Sequence, residues 1–261
     1  MKIIGLAHGK NEEPRLAFFL KCLSLYTDSI VFLDYGSTDR TPEILRELKD
    51  ECRIEAVVQG NRDDLLSTGR ALGGTHFMTL ECDEILTSNM HVDGFRDRIV
   101  GMRQGDSFWL PLIKCWKNPF AWRPDVREHV PVVFCDDRNG NLDEDEGIPV
   151  MGGFKWKADG VKYGLVSFRC VNWQNVVLRQ AWDKCNDRVR YPDMSPQTIN
   201  QRNLMPEDGP TQRIDDAWYL HYPFDPPNFM ATDLWRLKQI HQWIGMLGIG
   251  RFEELHLTHI L

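Results

Sequence analysis

Apolar residues fall in short runs separated by amphipathic stretches, and the two kinds alternate through the first 86 positions. MKIIGLA (1–7) is apolar and partly β-branched, which predicts a buried strand. Asn11 and Pro14 predict a helix opening, Asn as cap and Pro in the first turn, with Leu16, Phe19, Leu20 and Leu23 on one face. SIVFLD (29–34) predicts a second buried strand. TPEILRELKD (41–50) predicts an amphipathic helix capped by Thr41, with Pro42 at its first position and Ile44, Leu45 and Leu48 inward. A third strand at 54–60, a helix at 62–73 and a fourth strand over THFMTLECDEIL (75–86) complete the series. Such alternation builds βα units on a mostly parallel sheet, so the expected class is α/β.

Beyond residue 90 the pattern is less regular. Residues 108–135 are rich in Trp, Phe and Pro and include the strand-like VPVVF, and 136–147 (DDRNGNLDEDEG) reads as a solvated acidic loop. GFKWKADGVKYG suggests turns, 191–227 is Pro-rich, and 228–246 predicts an amphipathic helix. No internal repeat is present. The expected division is a βα half over 1–112, a second half of the same domain over 113–226, and a helical segment over 227–261.

Composition narrows the function. With 261 residues, 42% hydrophobic and nine Trp, the chain has apolar surface for a sizeable core, which excludes a mainly disordered protein. Lys and Arg number 31 against 38 Asp and Glu, a net charge of −7, so no nucleic acid is expected as partner. No run approaches the roughly 18 apolar residues of a membrane span, and the apolar start is too short for a secretory signal. Seven widely spaced cysteines without a C-x-x-C are expected as buried free thiols, with the cytoplasm as default location.

In such sheets ligands bind beyond the carboxyl ends of the strands, where two acidic segments fall. In DYGSTD, Asp34 ends a strand, Gly36 permits a tight turn, and Ser37, Thr38 and Asp39 add hydroxyls and a carboxylate. In ECDE, Glu81 and Asp83 stand two residues apart, and in an extended segment they project to the same side and can converge on one hard cation. A divalent ion there would neutralise a diphosphate leaving group.

KNEEPRL, FLDYGSTDRTPEIL and GRALGGTHFMTLECDEIL, in that order, resemble the family 2 type of glycosyltransferase with the GT-A fold. Members carry an N-E segment after strand one, a D-x-G-S-x-D-x-T turn after strand two and a D-x-D-E motif after strand four. The resemblance spans about the first 90 residues. It implies a Rossmann-like, mostly parallel sheet flanked by helices, followed here by a C-terminal helical extension. It also implies Mn2+ or Mg2+ as cofactor and a nucleotide-sugar donor, a UDP-sugar favoured. The acceptor would be a glycan, a lipid-linked molecule or a small molecule, so the protein would be peripheral to a membrane where that acceptor is lipid-linked.

Position by position, the resemblance implies nucleotide contacts at Ala7, Asn11, Glu12, Asp34, Gly36, Ser37 and Arg70, the last followed by Ala71 where the family usually has Asn. Glu81 and Asp83 fall on the acidic positions of D-x-D, with Asp83 as direct metal ligand and Glu81 towards ribose or metal-bound water. His221, in WYLHYPFD, matches a late histidine that completes the cation shell. An inverting transferase needs a carboxylate to take the acceptor proton; Glu128, then Asp125, in FAWRPDVREHVPVVF are the expected bases, against a reading as loop charges paired with Arg123 and Arg127.

Trp109, Trp116, Phe120 and Trp122 are either sugar-stacking platforms or core, with Trp116 and Trp122 the expected exposed pair. Arg188 and Arg190 are within possible reach of a pyrophosphate, and His256 and His259 read as surface. Two other readings stay open: a nucleotidyltransferase acting on a sugar phosphate, and a non-catalytic carbohydrate- or protein-binding module.

Overall fold

The structure, a computed structural model, describes residues 1–125, 128–142, 149, 152–158, 162–222, 229 and 234–257. The first 81 residues form β1 (Ile3–Gly9), α1 (Leu16–Ser24), β2 (Ser29–Asp34), α2 (Thr41–Glu47), β3 (Ile54–Val58), α3 (Arg62–Ala71) and β4 (His76–Glu81). The four strands are parallel in the order β4-β1-β2-β3. Their side chains alternate between two layers. Ile3, Ala7, Ile30, Phe32, Met78 and Leu80 pack with Leu16, Phe19 and Ile44 of α1 and α2, whereas Ile4, Leu6, Val31, Leu33 and Phe77 pack with Leu65 and Leu66 of α3. Burial on both faces is why these strands read as unbroken apolar runs. Gly5 lets α1 ride close: a Cβ there would stand 2.8 Å from Leu23 Cδ2.

The chain continues through β5 (Glu84–Leu86), α4 (Asn89–Val92), α5 (Phe95–Val100), β6 (Ser107–Trp116), β7 (Ala121–Trp122), β8 (His129–Cys135), β9 (Lys155–Lys157) and β10 (Leu165–Cys170). β8 joins β4 antiparallel, and β6 joins β8 antiparallel. β10 runs parallel to β6 and antiparallel to β5, closing a second apolar cluster with Ile113, Val166 and Phe168. The sheet is thus parallel where the chain alternates with helices and mixed where strands follow one another.

Helix α6 (Trp173–Arg190) is the longest among the described residues and is not foreseen in the sequence. Asn172 caps it, accepting from the amides of Gln174 and Asn175, and Leu178, Ala181 and Cys185 form its buried stripe. α7 (Pro196–Arg202), β11 (Gln212–Arg213), which pairs with β7, and α8 (Leu234–Leu247) follow; α8 packs on α6 through Ile240.

Two local expectations are corrected. Asn11 caps no helix: it adopts φ 59°, its amide donates to Ser37 Oγ at 2.9 Å, and its Oδ1 accepts from the Thr38 amide at 2.7 Å. The short amide side chain tolerates this left-handed backbone and ties the segment after β1 to the turn after β2. Thr41 lies inside its helix, and its hydroxyl accepts from the Glu12 amide at 2.8 Å. All seven cysteines are free and buried, and no helix among the described residues is long and apolar enough to cross a membrane.

Candidate active site

Parallel register gathers three strand ends at one edge: Gly9 faces Asp34, and His8 faces Glu81. β2 lies on one side of β1 and β4 on the other, so the order reverses here and a crevice opens. Two cavities occupy it. One, of about 340 Å3, is lined by His8, Arg62, Glu84, Trp109 and Glu128 among others; the second, of about 310 Å3, by Tyr35, Asp83, Arg169, Arg179, Trp182 and Arg236 among others. His8 and Glu81 line both, making them lobes of one cleft.

Asp83 sits in a turn between β4 and β5, where its carbonyl accepts from the Phe168 amide at 2.8 Å, fastening it to β10. The next residue on that strand, Arg169, reaches Glu81 Oε2 with Nη2 at 2.5 Å and lies 3.8 Å from Asp83 Oδ2 through Nε. Arg179, from α6, places Nη2 at 3.6 Å from the same oxygen. Burial alone would raise the Asp83 pKa, but the guanidiniums of Arg169, Arg179, Arg15 and Arg236 outweigh it and hold the carboxyl below its usual range. Burial, then the charges of Glu81 and Asp83, push Glu84 up to about 8. Burial and Arg62, whose guanidinium meets His8 Nε2 at 3.0 Å, keep the His8 imidazole lowered.

Of the expected site residues, Glu12, Glu81, Asp83 and Glu128 line the cleft. Asn11, Asp34, Gly36 and Ser37 build the turn that carries Tyr35 into it: Asp34 Oδ1 accepts from the Ser37 amide at 2.9 Å and hydroxyl at 2.6 Å, and Gly36 takes φ 76°. Ala7 is buried in β1 against the α1 layer. Arg70 is placed elsewhere. It sits in the last turn of α3, at the opposite edge of the sheet, and grips Asp136 through Nε at 2.9 Å and Nη2 at 2.7 Å. Asp125 commits both oxygens to Arg123, at 2.8 and 2.6 Å, as the loop-charge reading holds for Arg123; Arg127 lies outside the described residues.

His221 is exposed, held through its amide to Ser88 Oγ at 3.1 Å, and lines neither lobe. The expected exposed tryptophans are core, Trp116 at 4% and Trp122 at 8% exposure, while Phe120 is 62% exposed and Trp109 lines the first lobe. Arg188 bonds the carbonyls of Pro192 and Met194. His256 follows the last short helical turn, and His259 lies outside the described residues.

Residues that sequence reasoning missed complete the cleft: Arg169, Arg179, Trp182, Asp183, Trp235 and Arg236. Arg179, Trp182 and Asp183 stand at i, i+3 and i+4 on α6, the spacing that sets side chains on one helix face.

Among the described residues, the donor set of the cleft does not suit a resident divalent cation. Among the described residues no group of three or more His, Cys, Asp or Glu is arranged to hold a metal, and Asp83 and His221 are not brought together. An ion bound to Asp83 Oδ2 at the usual ~2.1 Å would stand within about 6 Å of two guanidinium nitrogens.

No protein-family profile matches the chain, and no curated protein matches it by sequence. Solved structures do. TarS of S. aureus superposes with a TM-score of 0.43 at 14% identity over 77% of this chain, which spans 42% of that one. Residues 1–349 of TarS in complex with UDP give 0.41 at 13% identity, covering 77% and 69% of the two chains. The mannosyltransferase PcManGT from Pyrobaculum calidifontis, in complex with GDP-Man and Mn2+, gives 0.47 at 14% identity, covering 94% and 74%.

Proposed function

We propose that the protein is a glycosyltransferase that moves a sugar from a nucleotide-diphosphate sugar, a UDP-sugar favoured by the sequence motifs, to an acceptor hydroxyl. The observation that carries this reading is the two-lobed cleft at the carboxyl ends of β1, β2 and β4, with arginines and aromatic rings among carboxylates in the second lobe and Glu84 and Glu128 in the first. Diphosphate and nucleoside suit the second lobe, where Tyr35, Trp182 and Trp235 offer ring faces. The acceptor then enters beside Glu128.

In the reaction an acceptor oxygen attacks the anomeric carbon as the bond from that carbon to the β-phosphate oxygen breaks. The bonding pair leaves on the diphosphate, and the acceptor's proton passes to Glu128. Positive charge near the diphosphate lowers the barrier because negative charge grows there in the transition state.

A panel of UDP- and GDP-sugars, assayed for free nucleotide with Mn2+, Mg2+ or chelator, tests the reading. Glu128→Gln should cut turnover by about 10²–10⁴-fold with donor affinity retained; turnover at the wild-type rate removes Glu128 from the role. Pyrophosphate formed from a nucleoside triphosphate and a sugar phosphate would instead mark a nucleotidyltransferase.

A further inference from the structure

The D-x-D-like segment performs the convergence expected of it, but on guanidiniums. Glu81 and Asp83 both face Arg169, and Asp83 also faces Arg179. The Asp83 contacts, 3.6 and 3.8 Å, exceed hydrogen-bond length. Asp83 therefore holds both cations by charge without consuming their donors. Among the described residues, Arg179 Nη1 is buried with no hydrogen-bond partner, and so is Asp83 Oδ1, on a side chain only 6% exposed. A buried guanidinium nitrogen left unsatisfied in a lined cavity calls for an acceptor, and the fixed fork of five donors matches phosphate oxygens.

We infer that Arg179, with Arg169 beside it, binds the donor's diphosphate directly, standing where the sequence motif places a divalent cation, and that Asp83 positions the two guanidiniums. This rests on the nucleotide-sugar reading. Asp83 Oδ1 is left to accept from a hydroxyl of the donor. The lobe's four basic side chains balance its four carboxylates, so a diphosphate enters a neutral environment. Arg179 is carried by α6 and Arg169 by β10, so phosphate oxygens can be gripped from two directions.

Calorimetry on the full chain with UDP, GDP and inorganic pyrophosphate, each in EDTA and in Mn2+, tests this. At least one nucleoside diphosphate should bind in EDTA within threefold of its affinity in Mn2+, and pyrophosphate should compete with it. Arg179→Gln should weaken that binding at least tenfold in EDTA, Arg179→Lys should restore part of it, and thermal melting of both variants reports their folding. The wild-type comparison in EDTA stands whether or not the variants fold. Binding only in Mn2+, or Arg179→Gln binding within twofold of wild type, overturns the inference and leaves the nucleotide-sugar reading intact. Failure of every probe to bind in either medium overturns both.

Discussion

Two arginine–aspartate clusters sit at opposite edges of the same sheet. At the amino edge, Asp136 is fully buried and saturated: Arg70 grips it through two hydrogen bonds, Arg138 donates its amide at 3.2 Å, and Arg70 also donates to the Gly140 carbonyl at 2.8 Å. At the carboxyl edge, Asp83 stands off its arginines by 3.6 and 3.8 Å, and one oxygen of Asp83 and one nitrogen of Arg179 have no hydrogen-bond partner among the described residues. The residue types are the same and the satisfaction is opposite. A closed network specifies structure, because every buried polar atom already has its bond. An open network held in place by the backbone keeps its bonding capacity for something else.

The sharpest way to break this contrast is Arg70→Ala. Removing one partner strands the buried Asp136 carboxylate, so unfolding stability should fall by about 3 kcal/mol or more, read from the urea midpoint. Nucleotide affinity should stay within twofold. A tenfold loss of affinity at unchanged stability would return Arg70 to the nucleotide site, where the sequence motif puts it.

Smaller is the effect of charge crowding at the open cluster. Burial, then Glu81 and Asp83, push the folded Glu84 carboxyl up to about 8, above the ordinary glutamate range, so its contribution favours the fold at low pH and is lost as pH rises through 8. Wild type should therefore lose stability between pH 5 and 8, and Glu84→Gln should flatten that slope in urea unfolding at both pH values. Parallel slopes for the two proteins would show that Glu84 titrates normally. The smallest effect is expected at His221, exposed and outside both lobes: His221→Ala should leave nucleotide affinity and turnover within twofold in calorimetry and a nucleotide-release assay.

The first half of the fold was legible because parallel strands covered on both faces are written as apolar runs, and Asp34 and Glu81 announce where those runs end. What lay beyond was hidden for physical reasons. Trp116 and Trp122 looked exposed beside Lys117 and Arg123, yet Trp116 lies under the Arg123 guanidinium, 4.7 Å from its ring centre, and Trp122 packs edge-on against Trp218. Arg179 stands about 100 residues after Asp83 on a helix whose interior stripe is short and whose polar face resembles any solvated one. Helical spacing shows that Arg179, Trp182 and Asp183 share a face; only the docking of α6 beside β10 reveals what that face looks upon. His221 lies outside both lobes for a related reason, since its place in a motif says nothing of where a loop returns.

The rung joining the Asp83 carbonyl to the Phe168 amide, continued by the pairing of Glu84 with Ser167, gives the cleft an uncommon kind of durability. Those main-chain rungs fix the spacing between the backbones that carry Asp83 and Arg169, so it does not rest on the ion pair itself. An arriving anion can take over an arginine's allegiance while the scaffold beneath stays still, and on the anion's departure the carboxylate is waiting at its old address. On the proposed reading the cluster swaps counter-ions with each turnover while the turn that carries Asp83 stays tied to β10 through the main chain.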